Sequence, residues 1–167
     1  MIQEQKQIKE RPCKFTLVKF NDNVNRIIQN VKLNNVSTLS PEDYVPDRST
    51  ALYDAIGDTI DWFRYEKDVL MVIVTDGQEN ASQTYRRNEV MQMLDEKQKN
   101  RNWSYVYLCN DLQTASQGES LGLNNSKYSA NCCVAQDSYG SFISKDVNTA
   151  IKNYRTQGIS VQSQLHK

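Results

Sequence analysis

The chain has 167 residues, enough for one domain with a real core, and its 20 Lys plus Arg balance 20 Asp plus Glu for a formal net charge of zero. That balance argues against a nucleic-acid surface built on bulk positive charge, and no apolar run is long enough to span a membrane. The N-terminus, Met1-Ile2-Gln3-Glu4, is polar and unlike a signal peptide, so the expectation is a cytoplasmic protein. Cys13, Cys109, Cys132 and Cys133 show no CxxC spacing and the single histidine is His166, so zinc is not expected. Vicinal Cys132 and Cys133 are read as small, partly buried residues of a strand-like segment in preference to a redox pair.

In chain order, Met1 to Glu10 reads as the last turns of a helix stopped by Pro12. Lys14 to Phe20 alternates as a strand, Asn21 to Asn23 is a turn, and Val24 to Val31 returns as an antiparallel partner. Asn34 to Pro46 is polar loop. From Ala51 to Tyr65, Leu52, Ala55, Ile56, Ile60 and Phe63 fall at helical spacing, with Ser49 or Thr50 as the N-cap. Val69 to Thr75 is a nearly unbroken apolar run, the pattern of a central parallel strand covered on both faces. It ends in Asp76-Gly77.

After a loop from Ala81 to Tyr85, Arg87 to Asn100 is a second helix facing inward through Val90, Met93 and Leu94. Trp103 to Cys109 is a further strand, Leu112 to Leu121 a short helix closing near Gly122, and Lys127 to Cys133 an edge strand. A last helix runs from about Tyr139 to Tyr154, with Phe142, Ile143, Val147 and Ile151 inward. Residues 1–155 are read as one domain and 156–167 as a flexible tail. Strands alternating with helices define an α/β sandwich, mostly parallel, with the early hairpin as an antiparallel edge. Ligands of such sheets bind beyond the carboxyl ends of the strands, where Asp76 stands.

Ser49-Thr50-Ala51-Leu52-Tyr53-Asp54, with Val72-Ile73-Val74-Thr75-Asp76-Gly77-Gln78-Glu79-Asn80, resembles the stand-alone bacterial and viral branch of the von Willebrand factor type A (vWA) domains. Tyr44-Val45-Pro46, Tyr105 to Asp111, Ser120-Leu121-Gly122 and Tyr128-Ser129-Ala130 extend the resemblance over most of the chain. It implies a Rossmann-type three-layer sandwich and a metal-ion-dependent adhesion site, with Mg²⁺ held at the carboxyl end of the sheet. Thr50 would match the loop threonine and Asp76 the second aspartate. Mg²⁺ is a hard ion that takes oxygen ligands in an octahedron and keeps some waters, so these residue types suit it. Ser49, Asp54, Gly77, Glu79, Asn80, Asn110 and Asp111 are placed near the site. Asp54 has a plainer reading as a first-turn acid at the helix dipole.

The family's Asp-x-Ser-x-Ser motif and the strand before it have no counterpart here, and Arg48 stands where the branch has Gly. The expectation is an N-terminally incomplete vWA-like domain. Its absent central strand would lie between Lys14 to Phe20 and Val69 to Thr75.

The resemblance implies a non-enzymatic protein-binding module, Mg²⁺-dependent in its complete form, that binds a protein partner presenting an acidic residue. The alternative is a metal-independent interaction or scaffold domain. A hydrolase or phosphotransferase ranks third, since no nucleophile–base pair can be assembled and no glycine loop cradles phosphate.

Overall fold

The computed structural model describes residues 2–9, 11–39, 49–124 and 129–165. The expectations for Tyr44 to Pro46, Arg48, Tyr128 and His166 fall outside the described residues. The chain forms a mixed α/β domain with a small antiparallel sheet and a larger parallel sheet packed by helices.

A short helix α1 (Ile2–Gln5) leads to the hairpin β1 (Lys14–Phe20) and β2 (Val24–Lys32). Then follow α2 (Leu52–Trp62), β3 (Leu70–Val74), α3 (Arg87–Arg101), β4 (Ser104–Cys109), α4 (Leu112–Ser120) and β5 (Ser129–Cys133). The C-terminal part is α5 (Gln136–Phe142), a π turn at Ile143–Val147, α6 (Asn148–Gln157) and α7 (Gln162–Leu165). The helix expected to end at Tyr154 thus runs on as α6 to Gln157, and Val161 beyond it is buried.

β3, β4 and β5 are parallel in that order, with Leu70 opposite Ser104 and Tyr105 opposite Ser129. Every residue of β4 is buried, because helices cover it on both faces. On one face Tyr105, Tyr107 and Cys109 join Leu52, Ile56 and Ile60 of α2 and Val90 and Leu94 of α3. On the other, Val106 and Leu108 meet Val147, Ala150 and Val161. Fully burying an aliphatic side chain of this size contributes about 1.5–3 kcal/mol, so the α2 stripe is a large part of the stability. Three polar tips in the core find backbone carbonyls. The Tyr105 hydroxyl donates to the Leu94 carbonyl at 2.9 Å, and the Trp103 indole to Glu66 at 3.1 Å. Buried Lys97 donates to the Arg64 carbonyl at 3.0 Å.

Two sequence expectations are corrected. Among the described residues the central strand of the parallel sheet is β4, while β3 lies at the sheet's edge with Val74 47% exposed. An apolar run records burial potential and does not tell a central strand from a neighbour that is covered only in part. The hairpin, in turn, is a sheet of its own with no ladder to the parallel sheet. It is held through side chains and through the Ala51 amide, which donates to the Asn21 carbonyl of the hairpin turn. Arg26 of β2 pairs with Asp58 of α2 and lies 4.3 Å over the Trp62 ring, and Phe20 packs on the first core cluster. On the other side, Arg155 of α6 donates to the carbonyls of Gln5 and Arg11, both at 2.7 Å, tying α6 to the segment that enters β1.

In the parallel ladder, Val69, Met71, Ile73 and Thr75 direct their backbone groups at β4, as the Thr75 amide on Leu108 shows at 3.0 Å. Leu70, Val72 and Val74 direct theirs away, where the described residues provide no ladder partner. Hydrogen exchange should therefore alternate along β3. Amides 70, 72 and 74 are expected to exchange faster than 71, 73 and 75. Uniform protection along the strand would show that its outer edge is paired.

Candidate functional site

The carboxyl ends of β3 and β4 and the start of α2 make one rim. Thr75 is buried and turns the chain, its hydroxyl donating to the Gly77 carbonyl at 2.9 Å. Asp76 is exposed. A Cβ on Gly77 would stand 2.7 Å from the Thr50 hydroxyl oxygen, so only glycine lets Thr50 approach the turn this closely. Thr50 is further fixed by its amide on the Asn80 side chain at 2.9 Å and by the Asn80 amide on its carbonyl at 3.0 Å. The structure thus sets Thr50 against the residue following Asp76.

The start of α2 corrects a further expectation. Neither Ser49 nor Thr50 caps the helix; the N-cap is Ala51, which has no side-chain oxygen to offer. The free N–H groups find partners across space. Glu79 accepts from the Tyr53 amide at 3.0 Å, and the Ser82 hydroxyl accepts from the Asp54 amide at 3.1 Å. The same Glu79 carboxylate also accepts from the amides of Ala81 at 2.9 Å and Ser82 at 2.7 Å and from the Ser82 hydroxyl at 2.6 Å. A carboxylate at a helix N-terminus is favoured by the dipole as well as by these donors.

Asp54 returns the arrangement from the helix side. Its carboxylate accepts from the amides of Gln83, Thr84 and Tyr85 at 2.8, 3.0 and 2.8 Å. Burial works to raise its pKa, but these backbone hydrogen bonds and the Arg86 charge outweigh it and hold the carboxyl below its ordinary 3.8. The Tyr85 ring lies flat on α2 where Gly57 has no side chain, a Cβ there falling 2.5 Å from the ring, and its hydroxyl donates to Asp61 at 2.7 Å. Burial, then the Asp61 hydrogen bond, push the Tyr85 phenol up to about 12.

Asp111 is the N-cap of α4, accepting from the amides of Gln113 and Thr114, both at 2.9 Å, and from the Thr114 hydroxyl. The Thr114 side chain, then its amide, hold the Asp111 carboxyl below its ordinary value. Asn110 precedes it on a bend at the end of β4. The Glu79 amide donates to Gln117 at 2.7 Å and Gln78 donates to Gln113 at 2.8 Å, so the Asp76 turn leans on α4. The elements of the rim also carry two exposed apolar side chains, Val74 two residues before Asp76 and Leu112 at the start of α4, the latter 77% exposed.

The sequence-stated residues Ser49, Thr50, Asp54, Asp76, Gly77, Glu79, Asn80, Asn110 and Asp111 all lie on the α2 start, the Asp76 loop or the adjoining end of β4. Sequence reasoning missed Ser82, Tyr85 and Gln117. Glu79 three residues before Ser82 was the available signal for Ser82, since that spacing suits a local carboxylate-to-amide loop.

As a Mg²⁺ site the rim fits poorly. The carboxylates of Glu79, Asp54 and Asp111 are occupied by protein donors, which leaves the Thr50 hydroxyl and the Asp76 carboxylate for an ion that needs near-octahedral oxygen ligation. Among the described residues, no group of three or more His, Cys, Asp or Glu is arranged to hold a metal. A cleft of about 480 Å³ lined by Arg11, Cys13, Asp68, Asn102 and Arg155 lies at the opposite, amino end of the sheet.

The chain matches no protein-family model, and comparison with characterised proteins and with solved structures found no match. Among the described residues, no helix is long and apolar enough to cross a membrane. The functional reading therefore rests on the rim itself.

Two measurements check the rim. Glu79→Ala strands the Tyr53 amide and the loop donors, so it should cost about 1–3 kcal/mol in urea unfolding; an unchanged midpoint would mean that Glu79 does not hold the loop. The second is pH dependence. The folded-state pKa values of Asp54 and Asp111 lie below the ordinary 3.8, so the unfolded chain takes up these protons first. Their contribution is full above that value and is lost as pH falls through the depressed folded-state pKa values. The acid limb of stability should be shallower in Asp54→Asn than in the parent.

Proposed function

We propose that this chain is a non-enzymatic interaction domain that binds a protein partner through the rim at the carboxyl end of the sheet, without a metal. The observation that carries this reading is the use made of the rim carboxylates. Glu79, Asp54 and Asp111 each accept several hydrogen bonds that hold α2, the loop and α4 together, so they serve as braces for a surface. What the braced elements offer to solvent includes Leu112, Val74 and Asp76, two apolar side chains and one acid. Exposed apolar anchors on rigid elements suit protein recognition.

The finer architecture we propose is the vWA-type sandwich. Support comes from the resemblance of the Thr50 and Asp76 segments and from the separation of the hairpin from the parallel sheet, since that arrangement has one more strand between β1 and β3. A second reading, Mg²⁺-dependent binding of an acidic side chain of the partner, is favoured by the Thr50 hydroxyl lying against Gly77 beside Asp76.

Affinity capture with the whole chain, followed by direct binding of the purified partner, separates the two. In the metal-independent reading Leu112→Asp weakens binding about tenfold or more, equivalent to ~1.4 kcal/mol, and chelator has no effect. Loss of binding in chelator, reproduced by Asp76→Ala and more weakly by Thr50→Val, would establish the second reading instead. Unchanged binding by Leu112→Asp would remove the rim as the docking surface.

A further inference from the structure

Cys109 and Cys133 end adjacent parallel strands and stand directly opposite each other in the ladder. Their register is pinned by the Val134 amide on the Cys109 carbonyl at 2.9 Å. Paired residues of neighbouring strands project on the same face, and the strand spacing of about 4.7–4.9 Å lies inside the Cα separation a disulfide spans. The Cys109 thiol donates to the Cys132 carbonyl at 3.7 Å, at the residue before Cys133, and the Cys133 thiol lies near enough to shift its titration. Both are free, Cys109 buried and Cys133 exposed. Cys132, by contrast, packs on the opposite face against the second core cluster, so the vicinal pair cannot join within the strand. A disulfide needs its Cβ atoms about 3.5–4.5 Å apart, closer than the strand spacing, and the bend at Asn110 and the open chain at Val134 let these two strand ends give.

We infer that Cys109 and Cys133 form a cross-strand dithiol that exchanges with low-molecular-weight disulfides and closes to an intramolecular bond at the rim. Cys133 is the entry point because solvent reaches it. Its thiolate attacks one sulfur of the small disulfide, that S–S bond breaks, and one small thiolate leaves and takes up a proton. The Cys109 thiolate then attacks the Cys133 sulfur of the mixed disulfide and expels the second small thiol, which carries the other proton. Two protein thiols are oxidised, and one small disulfide is reduced to two thiols.

Burial, together with the neighbouring Cys133 thiol, pushes the Cys109 thiol up to about 12. Burial, the larger cause, persists when Cys133 is capped. Closure still depends on a scarce thiolate, and its rate should rise with pH. The product would fasten the end of β4, and with it Asn110 and Asp111, to β5. This inference stands apart from the partner-binding reading.

Incubating the folded full-length chain with oxidised glutathione, quenching with an alkylating agent and measuring intact mass and free thiols under denaturing conditions tests it. The expected product has lost two of its four thiols, is lighter by two hydrogens and carries no glutathione. Cys132→Ala should behave as the parent, Cys133→Ala should form no internal bond, and Cys109→Ala should stop at a glutathione adduct on Cys133. Because Cys133 is exposed, its variant is expected to fold and keeps the test decisive if Cys109→Ala does not. An internal bond that persists in Cys133→Ala, a bond through Cys132 or Cys13, a stable glutathione adduct in the parent, or four unreacted thiols would each overturn the inference.

Discussion

Helix α2 has no cap of its own, and much of the geometry at the carboxyl end of the sheet follows from how that deficit is met. Ala51 brings only a methyl group to a position where the first turn needs an acceptor. Glu79 and Ser82 supply it from a loop on the far side of β3, and Asp54 pays the loop back by accepting three of its amides. The exchange is reciprocal, so helix and loop hold each other. Thr50, Gly77 and Asn80 are brought together as a by-product of that closure. A cluster of acids at a strand end therefore does not by itself mark a metal site, since here each of three carboxylates is explained by the amides it serves.

The same helix joins the two sheets. Its buried stripe of Leu52, Ala55, Ile56 and Ile60 faces the parallel sheet and α3, while Asp58 and Trp62 hold the hairpin through Arg26. On the opposite side α1 is bound to α6 through Gln5, whose side-chain amide donates to the Asn148 carbonyl at 2.9 Å. The hairpin thus keeps its place without ladder hydrogen bonds to β3. Its contacts are polar and aromatic side chains together with the Ala51 amide on the Asn21 carbonyl, and those depend on α2 and α6 staying where they are.

Much of this was legible in the sequence because it follows from local periodicity. The Leu52 to Ile60 spacing, the apolar run before Asp76 and the alternation from Lys14 to Phe20 each express one element's own preference. The rank of β3 within its sheet was not legible, because edge and centre differ in what lies alongside and not in the strand's own residues. The α2 cap was missed for a related reason. Ser49 and Thr50 are good capping residues in the expected place, yet acceptors about thirty positions away in the chain took the role, a pairing no window of sequence displays. The pairing of Cys109 with Cys133 depends on ladder register, which the adjacency of Cys132 and Cys133 in the chain obscured.

The outer edge of β3 has one more consequence, which concerns self-association. Leu70 to Val74 is five apolar residues with no proline, no lysine and no bulge, the composition that lets one copy of an edge recruit another. Charges stand at both ends, Lys67 and Asp68 before the strand and Asp76 after it. A like strand arriving in antiparallel register would set Asp68 of one copy near Asp76 of the other, twice over, against acids of the same sign. In that light Asp76 also acts as a gatekeeper, a charge whose placement keeps the strand before it from finding its own kind.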